Sequence, residues 1–213
     1  MLYIFDWDGT LSDSLSRITG SMAHAFKNTG LPVPPEEECR SVIGLGLQEA
    51  FFALQPQADQ ADFERLTQFY RDAYLSMDKN EPTPFYEGAI ELLTALKAQG
   101  HLLAVATGKN RRGLKRILAE NSLEDFFDAT RCADETKSKP DPLMLHEILV
   151  ELDCSASDAL MIGDTDFDIN MGNRAGIKTV AITHGAHSIE RLKKSQPDIF
   201  VDHLSEILAL ELI

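Results

Sequence analysis

Short apolar runs separated by helical patterns set the tightest limit on how this chain folds. Residues 2–5, 102–106, 159–162 and 179–182 each read as a strand buried on both faces, and residues 199–201 as a weaker one. Between them, apolar residues recur at helical spacing. Ala89, Ile90, Leu92, Leu93 and Leu96 form one face, closed by Gly100; Leu114, Ile117 and Leu118 form another. A third, Leu143, Leu145, His146, Leu149 and Leu152, opens at Pro140-Asp141-Pro142. Strand and helix alternating in this way predict an α/β fold: a Rossmann-like parallel sheet with helices on both faces.

The stretch from about Ser14 to Asn80 breaks that rhythm. It holds no convincing strand. Leu15, Ile18, Met22 and Phe26 recur at helical spacing and stop at Gly30-Leu31-Pro32. Pro34-Pro35-Glu36-Glu37 has the proline and acids of a helix start. Leu47, Ala50, Phe51 and Leu54 mark a further helix, and Phe63, Leu66, Phe69, Ala73 and Met77 a longer one. The expected organisation is a core of residues 1–13 and 84–213 with an inserted α-helical cap at 14–83. Hinges are expected near residues 11–14 and 79–84. Phe51, Phe52, Phe69 and Tyr70 face either the core of that insertion or a partner, so a monomer or a weak homodimer is expected.

Lys plus Arg is 20 against 34 Asp plus Glu, a net charge of -14. That balance argues against nucleic acid as a partner. It leaves room for a small anionic ligand, because a bound cation and a few placed lysines set the local field. Cys39, Cys132 and Cys154 are an odd set without CxxC spacing, which points to free structural thiols in a reducing compartment. With no leader and no membrane-length apolar stretch read in the sequence, a cytoplasmic protein with no membrane partner is expected.

Four stations of reactive side chains fall at or just after strand ends. The first is Asp6 and Asp8, the second Thr107-Gly108, the third Lys139, and the fourth Gly163-Asp164-Thr165 with Asp168. In open α/β sheets ligands bind beyond the carboxyl ends of the strands. Asp6 and Asp8 are one residue apart, so in an extended segment their side chains leave on the same side. Carboxylates gathered there repel unless a cation neutralises them, and oxygen-only ligands suit Mg²⁺. Asp168, one helical turn past Asp164, supports the metal or its waters. Thr107-Gly108 offers a hydroxyl and backbone N–H groups to a phosphate, and Lys139 a cation. Turn and cap roles are the bland alternatives for each site taken alone.

Asp6-x-Asp8-Gly9-Thr10, Thr107, Lys139-Pro140 and Gly163-Asp164-Thr165-x-x-Asp168 resemble the four motifs of the haloacid-dehalogenase-like hydrolase superfamily. The likeness spans nearly the whole chain. Asp13-Ser14, Gly30-Leu31-Pro32, Gly44-Leu45-Gly46 and Tyr86-Glu87-Gly88 resemble the phosphoglycolate phosphatase subgroup. The resemblance implies a Mg²⁺-dependent phosphatase acting on a small phosphorylated metabolite, with 2-phosphoglycolate the first substrate to test. Asp6 would be the nucleophile that forms an aspartyl-phosphate, and Asp8 the general acid and base. Thr107 and Lys139 complete the catalytic set. Gly9, Thr107, Gly108 and Lys139 would contact substrate; Asp6, Asp8, Asp164 and Asp168 would serve the metal.

Three other readings use overlapping residues. A β-phosphoglucomutase-like phosphomutase would return the phosphoryl group to a sugar. A non-catalytic phosphoryl-accepting regulator would stop at phospho-Asp6. A dehalogenase has no need of Asp8 or of the magnesium acids. Gly44-Leu45-Gly46 is either a substrate-facing cap loop or an interhelical turn. Arg17, His24, Lys109, Arg111 and Arg112 read as surface charges, with specificity contacts as the alternative. His184 and His187 show no metal-ligand pattern.

Overall fold

The computed structural model describes residues 1–210, with backbone alone for Asp78 and Asn80. Six parallel strands form one sheet in the order β3-β2-β1-β4-β5-β6. They are β1 (Leu2–Phe5), β2 (Leu102–Thr107), β3 (Ala129–Cys132), β4 (Ala159–Gly163), β5 (Lys178–Ile182) and β6 (Ile199–Val201). This is the doubly wound order, which reverses between β1 and β4 and opens a crevice at their carboxyl ends. β1 pairs with β2 on one side and β4 on the other, so its four residues are wholly enclosed.

Helices cover both faces of the sheet. α5 (Ala89–Ala98) and α6 (Arg111–Glu120) pack on the side of Tyr3, Phe5, Leu103 and Val105. α7 (Leu143–Glu151) and α8 (Asp166–Ala175) pack on the side of Leu2, Ile4, Ala104 and Met161. α9 (Ile189–Lys194) lies beyond β5 and seats Leu192 against Ala181 and Ile169.

Between β1 and α5 the chain forms α1 (Leu15–Thr29), α2 (Glu36–Ser41), α3 (Leu47–Leu54) and α4 (Gln60–Asn80). They enclose a core of their own, with Leu15, Met22, Phe26, Phe51 and Leu66 at its centre. Phe51 is wholly buried, and Phe69 and Tyr70 pack against this core. Phe52 is 59% exposed, so it does not join them. The two connections to the sheet run side by side. Asp13 N–H donates to Pro84 O at 2.9 Å and Tyr86 N–H to Leu11 O at 2.9 Å.

β3 is absent from the sequence reading. Its Ala-Thr-Arg-Cys has no apolar run, because an edge strand has one neighbour and exposes part of its surface. No helix among the described residues is long and apolar enough to cross a membrane.

Candidate active site

The site begins at the end of β1. Trp7 is fully buried, edge-on to Phe85 and Phe127 with ring centroids 5.8 and 6.2 Å away. Its burial in the core leaves Asp6 and Asp8 on the opposite side of the extended chain. The chain then turns sharply, with Leu11 and Ser12 N–H groups both donating to Trp7 O. Gly9 sits in that turn at φ +87°, and a Cβ there would collide with the Asp164 carboxylate. Only glycine meets both demands. Its N–H donates to Ser12 O at 2.9 Å, so Gly9 has no free donor for the substrate contact expected of it.

Asp6 and Lys139 form the centre. Lys139 Nζ donates to Asp6 Oδ1 and to Asp168 Oδ1, each at 2.6 Å, and all three side chains are sealed from solvent. Asp6 Oδ2 is buried with no hydrogen-bond partner. Burial lifts the Asp6 pKa well above the usual carboxylate range; Lys139 opposes this, while Asp168 and Asp164 add to it. Burial alone would lower the Lys139 pKa, but Asp168 and Asp6 outweigh it and keep the lysine charged. Asp168 Oδ2 accepts from the Thr165 N–H and Oγ1, at 3.0 and 2.6 Å. The Thr165 N–H bond and the Asp168 N–H donating back to Thr165 Oγ1 at 3.3 Å form the capping box of α8, so the helix start orients the carboxylate that holds Lys139.

Asp164 ends β4. Thr10 Oγ1 donates to its Oδ1 and the Ala186 N–H to its Oδ2, both at 2.7 Å. Burial and then Asp168 push its pKa up to about 6. One oxygen each from Asp6, Asp164 and Asp168 lie within 4.8 Å of one another. Three buried carboxylates against one lysine carry surplus negative charge, and their donors are all oxygen. A hard divalent cation fits that set, and the unpartnered Asp6 oxygen marks where a further positive or electrophilic group is missing.

Asp8 is held from two sides. Ser14 Oγ donates to its Oδ1 at 2.5 Å, and Lys109 Nζ lies 2.8 Å from the same oxygen. Lys109 also donates to Tyr74 Oη at 3.3 Å and sits 5.0 Å from the centre of that ring. Lys109 is therefore part of the site and not the surface charge expected of it. A specificity contact is its alternative reading in the sequence, and only the fold, by bringing it back over Asp8, decides between the two. Thr107 is fully buried at the end of β2 and accepts the Lys109 N–H at 3.2 Å. Arg111 pairs with Glu135 at the surface, as expected of it.

The α1–α4 segment is seated on the rim of the sheet. Arg40 donates to Gly185 O at 3.2 Å, and Ser41 O accepts from both His187 Nε2 and Arg191 Nη1 at 3.1 Å. Asp166 grips Arg191 through both oxygens, at 2.8 and 2.9 Å, and its N–H donates to His187 Nδ1 at 3.0 Å. Gly46 N–H donates to Ser138 Oγ at 2.8 Å. A Cβ on Gly108 would fall 2.5 Å from Leu45 O and 2.7 Å from Gly44 O. The Gly44-Leu45-Gly46 loop thus rests directly on the Thr107-Gly108 turn. His184 stacks on Tyr86 at 3.9 Å and bonds Thr10 O at 3.2 Å. Both histidines hold loops in place, a role that no local spacing announces.

Strand order, the four stations and the seated helical segment define a haloacid dehalogenase-like hydrolase, and the family model of that description matches residues 3–182. The chain belongs to this family. Among named relatives, it is 34% identical to "Probable phosphatase IndB" of Dickeya dadantii, covering 97% of this chain and 91% of that protein. It is 31% identical to "Pyrophosphatase PpaX" of Bacillus cereus, with 97% and 94% covered. A crystal structure titled as a predicted phosphoglycolate phosphatase from Haemophilus somnus 129pt superposes with a TM-score of 0.85. Identity there is 27%, over 98% of this chain and 96% of that one.

Proposed function

We propose that this protein is a Mg²⁺-dependent phosphatase that hydrolyses a small phosphorylated metabolite through an aspartyl-phosphate. The observation that carries the reading is Asp6: one oxygen is held by Lys139, and the other is free at the carboxyl end of the central strand. The free oxygen attacks phosphorus, and the bond to the ester oxygen breaks. Asp8 gives its proton to the departing alkoxide. It then takes a proton from the water that hydrolyses the phospho-Asp6. Lys139 and the Thr107 hydroxyl hold the phosphoryl oxygens, so the barrier falls mainly through positioning and charge. Asp6, Asp164 and the Asp8 carbonyl would hold Mg²⁺, which supplies neutralisation of phosphoryl charge when bound. Asp168 Oδ1 carries the Lys139 ammonium and its Oδ2 already accepts two hydrogen bonds, whereas each Asp164 oxygen accepts one, which favours a role for Asp168 behind Lys139 over direct contact with the ion.

The α1–α4 segment serves as a cap that excludes water while the leaving group departs and admits it afterwards. Its paired connections at residues 11–13 and 84–86 are the hinge. The sequence resemblance makes 2-phosphoglycolate the first substrate to test, and the named relatives add pyrophosphate. Phosphate release is measured over a panel of small phosphate esters with Mg²⁺ and with chelator, with Asp6→Asn as control. Mg²⁺-dependent release that Asp6→Asn abolishes is the expected outcome. Normal turnover by Asp6→Asn would rule the mechanism out, and an isomerised sugar phosphate without net release would favour a mutase.

A further inference from the structure

We infer that the cap encloses a leaving-group site for an alcohol bearing a planar ring, of about nucleoside size, and not for glycolate or a second phosphate. The inference rests on the phosphatase reading above and names its substrate class. A cavity of about 690 Å³ opens from Asp6 and Asp8 between the core and the cap. Its size is that of a site for a whole drug-sized ligand, roughly 300–1,000 Å³. The space is not the gap of a raised lid. The 44–46 loop already rests on Gly108 and Ser138, and α2 is already bonded to Gly185, His187 and Arg191.

The lining decides what kind of group fits. Ile18 and Met22 of α1, Leu47 of α3, and Tyr70 and Tyr74 of α4 form the cap side. Ile18, Met22 and Tyr74 are buried, and the two tyrosine rings lie 6.0 Å apart at 34°. Such a wall of aromatic, aliphatic and thioether surface packs against a flat ring. A carboxylate or second phosphate on the leaving group would need a cation close to the acids. Lys139 already serves Asp6, Asp168 and the phosphoryl group being transferred, and Lys109 is held by Asp8 and Tyr74, so neither is left for a second anionic group. Asp72 and Asp134 add negative charge to the lining. Arg71, Arg112 and Arg116 also line the cavity; Arg71 and Arg112 are exposed to solvent, and Arg116 pairs with Glu120. The two exposed arginines suit the face of a ring that reaches toward them.

The test compares phosphate release from ring-bearing esters with release from small anions. The first set is purine and pyrimidine nucleoside 5′-monophosphates and pyridoxal 5′-phosphate. The second is 2-phosphoglycolate and inorganic pyrophosphate, with acetyl phosphate as a small reactive donor. At least one ring-bearing ester is expected to exceed both 2-phosphoglycolate and pyrophosphate in kcat/KM by about tenfold or more. Leu47→Trp, which narrows the cavity, is expected to raise KM for that ester about tenfold and to lower release from it more than release from acetyl phosphate. If 2-phosphoglycolate or pyrophosphate matches the ring-bearing esters, the leaving-group assignment is overturned and the phosphatase reading stands. Equal losses on both donors in Leu47→Trp also overturn it. If no compound releases phosphate, acetyl phosphate included, the phosphatase reading itself falls.

Discussion

Lys139 sits between two carboxylates with no side-chain surface left to solvent. Such a lysine has two jobs. It neutralises Asp6 and Asp168 in the resting protein, and its charge is on hand when a phosphoryl group arrives. Lys139→Ala should therefore lower kcat at least about a hundred-fold, the scale of a lost charge stabiliser. It should also leave two buried acids unpaired and cost roughly 3–5 kcal/mol of stability, read by denaturant unfolding. Full activity, or an unchanged unfolding midpoint, would contradict the arrangement. Asp6, Thr107 and Asp164 were legible because each closely follows an apolar run, and Lys139 because it directly precedes the helix-opening Pro140. Lys109 was not, since its link to Asp8 depends on how far the β2–α6 loop folds back over β1.

Among the elements, the 44–46 loop and the Thr107-Gly108 turn meet backbone to backbone. Backbone carbonyls face Gly108 there, and they cannot rotate away as a side-chain end can. Gly108→Ala should displace the 44–46 loop and lower kcat/KM about ten- to hundred-fold, as misplaced catalytic geometry does. The melting temperature should fall as well, because backbone and not a side-chain end must give way. Steady-state kinetics beside a thermal melt checks this; equal activity would mean that the loop does not need its seat. The helices of the insertion were legible from their apolar spacing. Their docking was not, because Arg40, Ser41, His187 and Arg191 meet across the interface from positions far apart in sequence.

For the whole molecule, the proposed Mg²⁺ site makes stability depend on proton and metal binding at the buried acids. Asp6 and Asp164 both have raised pKa values, Asp164 to about 6. Between the ordinary carboxylate value and that one, the folded protein binds more protons than the unfolded chain. Metal-free protein should therefore lose stability as pH rises through about 4 to 6 from this source. Mg²⁺ favours the ionised acids, so the rise in melting temperature it gives should be larger at about pH 7.5 than at about pH 5. Melts with saturating Mg²⁺ and with chelator at both pH values test this. A Mg²⁺ effect that is absent, or equal at both, would argue against a metal held by these acids.

Five of the sheet's six strands, the inserted helices and the order of the reactive stations were determined by the sequence alone. Strand burial and helix periodicity are local properties of which side chains follow which. Tertiary structure alone decided the rest: the free oxygen of Asp6, the grip of Asp168 on Lys139, the turn of Lys109 toward Asp8, and the volume left under the seated cap. Each of these depends on distances between segments far apart in the chain. Only the packed sheet and the closed interface fix such distances, and no residue spacing encodes them.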